Sequence, residues 1–139
     1  MKRYFSLLPA AAASAVWSAL AFAGALFLGI LVMTAGAAVW TFSSAAALVL
    51  AFAWVFAGAL AVFCVGAVLF GPLTYMVLKR LNADGYIAAA FIAGLEAGGA
   101  SILLLGLMNV AELAPLHGAA ALGGAVGGLA FRHTAERLS

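Results

Sequence analysis

Few residues in this chain are able to do chemistry, and Glu96 is the foremost of them. It is a carboxylate inside the apolar run 85–108, in a protein where only 7% of residues are charged. An ionisable side chain at the centre of a membrane helix costs about 2.5–3.5 kcal/mol on insertion scales, so it requires a partner or a function. Two kinds of chemistry suit such a group. It can act as a neutral carboxyl that exchanges hydrogen bonds with nearby polar groups, or as a proton carrier that couples proton movement to transport. Glu96 lies 11 residues after Gly85, or ~16 Å along a helix. Ser18 lies 11 residues after Leu7 and reaches a similar depth, with Trp17 and Ser14 beside it. These residues predict an intramembrane polar site made of Glu96, Ser18, Trp17 and Ser14. The apolar runs contain no Lys or Arg to pair with Glu96.

The other reactive side chains are isolated. Cys64 is the only cysteine, which excludes disulfide frameworks, dithiol redox chemistry and thiolate metal clusters. His117 follows Pro115 with Glu112 nearby, too few ligands for a zinc site. His133 stands with Arg132 and Arg137 in a basic tail suited to anionic headgroups. Nucleotide-binding loops, paired catalytic carboxylates and nucleophile elbows are absent. The order Gly98-Gly99-Ala100-Ser101, then His117 and a glycine-rich run, faintly resembles the Ser/His pairing of rhomboid intramembrane proteases. The glycine that should follow the serine is missing, and too few spans are present for that fold. Small multidrug transporters are similar in size and also carry an intramembrane Glu, but theirs is on the first helix. The residues therefore point to a non-enzymatic protein with no catalytic residue, metal or cofactor.

The elements that must position these groups follow from the solvent the chain is built for. Hydrophobic residues make up 68% of the sequence and mean hydropathy is +1.26. Six Lys+Arg and four Asp+Glu cannot cover a soluble fold of this size. In lipid the backbone must satisfy itself, and long unalternating runs of Ala, Leu, Val, Phe and Gly exclude barrel strands. The chain is therefore expected to be an all-α membrane protein forming one integral membrane domain, 1–139.

At about 20 apolar residues per crossing, four spans result, approximately 7–33, 45–70, 85–108 and 116–131. Gly71 and Pro72 predict a bend after the second, with continuation to 78 along the interface. All six cations then fall on one side: Lys2 and Arg3, Lys79 and Arg80, Arg132 and Arg137. The positive-inside rule makes that side cytoplasmic, with both termini there. Trp40 fits an aromatic anchor in the opposite loop. The N-terminus also resembles a cleavable secretory signal at Ala21-Phe22-Ala23, but the apolar run continues to Met33, so it reads as a retained anchor.

Helix association in lipid relies on small residues that let backbones approach. Gly123 with Gly127, and Gly124 with Gly128, form two adjacent small-xxx-small rows in the fourth span, while Gly94, Gly98 and Gly99 supply another in the third. In the third span Ala89, Ala93, Glu96, Gly99 and Ala100 share a small face opposite the bulky stripe Ile87, Phe91, Leu95 and Ile102, so Glu96 is expected to face protein. High Ala and Gly usage suggests a multi-pass bacterial inner-membrane protein. Expected partners are membrane lipids, a second copy of the chain or another membrane protein, but not nucleic acid. Action by self-association or as an accessory subunit is the principal expectation, and a small proton-coupled transporter or channel using Glu96 is the alternative.

Overall fold

A computed structural model describes residues 6–34, 42–83, 85–107 and 114–138. Among them are five helices and no strand: α1 (Leu8–Thr34), α2 (Phe42–Leu69), α3 (Gly71–Arg80), α4 (Tyr86–Leu107) and α5 (Ala114–Leu138). Three of them, α1, α2 and α4, are long and apolar enough to cross a membrane, which makes this a multi-pass membrane protein. Trp40, Glu112, Lys2 and Arg3 lie outside the described residues, as do most of the two connections that the sequence places opposite the cations.

α2 and α3 are one bent rod. The amide of Phe70 still bonds to Gly66 O and that of Thr74 to Phe70 O, so the turn is not lost. Pro72, lacking an N–H, takes the first turn of the new helix, where no intrahelical donor is needed. The rod ends at Leu81, and Asn82 adopts a left-handed conformation at φ 53°, a geometry that Asn tolerates better than most residues.

α5 is the centre of the assembly, although its five-glycine stretch and basic tail make it the least apolar of the long helices. It packs on α1 along one side and on α4 along another, while α2 packs against α1 and reaches α5 through Phe63 at Gly123. Contacts pair early residues of one helix with late residues of the next. Gly98 meets Ala121 and Gly94 meets Ala125, so α4 and α5 are antiparallel. Phe27 meets Phe52 and Phe22 meets Phe63, with centroids 5.6 and 6.0 Å apart, so α1 and α2 are antiparallel too. Each edge-to-face ring pair adds about 0.5–1.5 kcal/mol beyond its area.

The interior is built from small residues. Ala11, Ala15, Ala19 and Ala23 are 0–1% exposed and repeat every fourth residue along the buried stripe of α1. Larger side chains enter at one end, where Leu7, Ala10, Ala11, Tyr75, Phe131 and Ala135 form a cluster. The start of α1 and the end of α5 therefore lie together, beside α3 with Lys79 and Arg80. α2, by contrast, leaves most of its surface uncovered, including Val49, Leu50, Trp54 and Val62, as a helix facing acyl chains should.

Candidate functional site

The polar site predicted from depth alone does not assemble. Ser14 and Ser18 are buried at 8% and 3% exposure, but they face α5, not α4. Their hydroxyls abut the position where Gly127 would carry a side chain, and Ser18 O lies 2.9 Å from the corresponding point at Gly123. Trp17 points away from both, 55% exposed. Equal depth was a necessary condition for meeting Glu96, but the helix between them is α5, whose glycines take up the whole Ser14–Ser18 face.

Glu96 sits near the middle of α4, ten residues after Tyr86, and is exposed. Its expected seal of small residues is absent because the side of α4 that packs on α5 is centred on Ala93, Gly94, Ala97 and Gly98. Glu96 falls at the edge of that side. Its partner is Thr74, whose Oγ1 donates to Glu96 Oε1 at 2.9 Å. This bond ties α4 to α3 across the front of the bundle. Thr74 carried no signal in the sequence, because only the bend at Gly71-Pro72 swings it under α4.

The seven glycines divide by environment. A methyl added at Gly124 would meet Ala93 O and, at 2.6 Å, Ala97 Cβ; one at Gly128 would meet Ala89 O and, at 2.8 Å, Ala93 Cβ. Gly127 is as tightly set against Ser14 and Ser18 of α1, and Gly123 against Ser18 and Phe22 of α1 with Phe63 of α2 beside them. The two rows on α5 thus serve different neighbours, which is why both are needed. Gly94 and Gly98 complete the α4 side of one interface. Gly99 does not join them, since nothing lies within 4 Å of where its Cβ would be. It is one turn beyond Glu96 on the same open flank.

His117 and Ser101, sixteen positions apart, are brought together across α4 and α5, with Ser101 Oγ 3.0 Å from His117 Nδ1. The same hydroxyl donates to Gly98 O at 2.7 Å. The pair links two helices, at the end opposite the cations.

At the cation-bearing end, Arg132 lies over two rings, 5.8 Å from the Tyr75 centroid and 5.6 Å from that of Tyr86. It also pairs with Glu136 Oε1 at 2.6 Å. Tyr86 donates its hydroxyl to Glu136 Oε2, and its oxygen is 3.5 Å from His133 Nδ1. Among the described residues no three His, Cys, Asp or Glu side chains converge on a metal-sized site. Cys64 is exposed on α2. A partly enclosed cleft between α1 and α2 measures about 40 Å³ and is lined by apolar residues including Phe27, Ile30 and Phe52. Comparison with protein families, with curated proteins and with solved structures gives no match.

Proposed function

We propose that this is a non-enzymatic four-helix protein of the bacterial inner membrane, with both termini cytoplasmic, that acts by associating with a second copy of itself through the Glu96 flank. The fourth crossing is α5: it runs antiparallel to both neighbours and has no charged residue before Arg132. The one-sided placement of all six cations supports the orientation.

The observation that carries the functional reading is the exposure of Glu96 with Thr74 as its one donor among the described residues. A carboxylate offers about four acceptor positions, and lipid fills none of them. A second chain does, if its own Glu96, carrying a proton, donates across a two-fold axis, the commonest symmetry of homo-oligomers. Gly99 leaves room on the same flank for a close helix approach. The glycine rows do not serve this purpose, because α1 and α4 already occupy them.

The test compares Glu96→Gln, Glu96→Leu and Gly99→Leu by cysteine cross-linking at position 92, in a Cys64→Ala background reconstituted in liposomes. The glutamine variant should associate as the parent does, since it keeps its hydrogen bonds. Both leucine variants should fold and fail to associate. Association undiminished in both leucine variants would remove this flank from the reading. A second reading, a proton-coupled transporter or channel, draws on the same exposure, since a carboxylate that is not sealed by helices is open to exchange its proton. For that reading the glutamine variant would fold and associate but lose pH-driven flux in proteoliposomes.

A further inference from the structure

The rotation of α4 within the bundle decides which of its residues a second copy can touch. Successive residues turn by about 100°, and three sides of the helix differ in what covers them. One is closed by α5, through Ala89, Ala93, Gly94, Ala97 and Gly98. Another carries Ile87, Phe91, Leu95 and Ile102, all at least 57% exposed, the bulky side chains that acyl chains accept. Between them run Ile92, Glu96, Gly99 and Leu103, at steps of four, three and four residues. Glu96 and Leu103 are exposed, and Ile92 and Gly99 are half-buried. Nothing lies within 4 Å of the point where Gly99 would carry a side chain. Thr74 donates to Oε1 of Glu96, and Oε2 has no donor among the described residues.

Symmetry limits how two such strips can meet. With all six cations on one side of the proposed crossings, every copy has the same orientation in the bilayer. A closed pair of like-oriented chains is related by a two-fold axis normal to the membrane, and about such an axis each residue stays at its own depth. α4 must then run parallel to its copy, each residue of the strip facing its own counterpart. Alternating steps of three and four residues are those of parallel helices crossing at about +20°. A row in steps of four, through Ile92, Glu96 and Ala100, would give the opposite hand, but Ala100 falls in line with Ala93, two turns back, whose side α5 closes. The open surface of α2 is larger. It has no charged residue within Phe42–Leu69, and a copy seated there would leave both Glu96 carboxyls in lipid.

We propose that the second copy packs its α4 against α4 in parallel, along a left-handed seam of Ile92, Glu96, Gly99 and Leu103. The seam rests on self-association at Glu96 and specifies its interface. Gly99 is the point of closest approach, the missing side chain letting the two backbones near one another. The Glu96 pair lies one turn away, carboxyl to carboxyl, with Ile92 and Leu103 closing the seam on either side.

Single cysteines are placed at positions 91, 92, 95, 99, 100, 102 and 103 of the full-length Cys64→Ala protein, which is reconstituted in liposomes and oxidised. Energy transfer between Cys64→Ala chains carrying fluorescent tags at the C-terminus reports association independently of the seam. A disulfide requires Cα atoms within about 7 Å. Its yield should be several-fold higher at 92, 99 and 103 than at 91, 95 and 102, and position 100 should stay low. Adding Glu96→Leu should bring the seam positions down to the level of the others. Energy transfer accompanied by the highest yields at 91, 95 and 102, by a maximum at 100 in place of 99, or by equal yields throughout would overturn the seam while leaving self-association standing. Absence of energy transfer would remove self-association and the seam with it.

Discussion

Substituting alanine for glycine, one methyl group at a time, tests the central role of α5 most directly. At Gly124 the new carbon would stand 2.6 Å from Ala97 Cβ and closer still to Ala93 O. Carbon atoms rest at about 3.5–4.0 Å, so α4 and α5 must part by about 1 Å at that level. Overpacking of this kind costs about 1–3 kcal/mol, and a gap of about 1 Å forfeits up to half of each contact's dispersion energy along the seam. Against this stands the gain from replacing glycine within a helix, about 0.5–1 kcal/mol. Since backbone oxygen and a neighbouring Cβ cannot rotate away, Gly124→Ala and Gly128→Ala should each lose about 2 kcal/mol. At Gly24 and Gly29 no atom lies within 4 Å of the new carbon, so only the gain of about 0.5–1 kcal/mol remains. The difference between the two classes, about 3 kcal/mol by these terms, is readable by titrating each variant from mild detergent into SDS and following helical circular dichroism. Gly124→Ala as stable as Gly24→Ala would refute the close approach of α4 and α5, and with it the arrangement of the bundle.

Two further outcomes are expected. A reporter active only in the cytoplasm should give signal when fused after Lys79 or at the C-terminus and none near Gly36 or Ala114; signal at Ala114 would remove α5 as a crossing. A double-mutant cycle of Ser101→Ala and His117→Ala should return a coupling of about 1 kcal/mol, that of a net hydrogen bond, and a coupling near zero would make the contact between the two helices incidental.

The class of this protein was legible in one dimension because the bilayer reads composition. Runs of about 20 apolar residues, cations confined to alternate connections and the proline after Gly71 are local properties, and the helices observed begin and end within a few residues of the runs, apart from α5, which continues beyond 131 to Leu138. The two glycine rows of α5 were equally readable, since periodicity four marks a face whatever lies opposite. The Ala11-Ala15-Ala19-Ala23 stripe carries the same signal on α1.

What periodicity could not supply was the order of helices around the bundle. Depth placed Glu96 and Ser18 on one level, and nothing in the chain forbade α1 from lying against α4. Tertiary packing put α5 between them, because only a helix with two adjacent small rows can approach two neighbours closely at once. That single choice turned Ser14 and Ser18 toward Gly127, left Trp17 and Glu96 on open flanks and made Thr74 the partner of Glu96. Contacts such as Ser101 with His117 or Tyr86 with Glu136 depend on the register and rotation of packed helices. Those are set by backbone approach over the whole length of an interface and so have no counterpart in any local stretch of sequence.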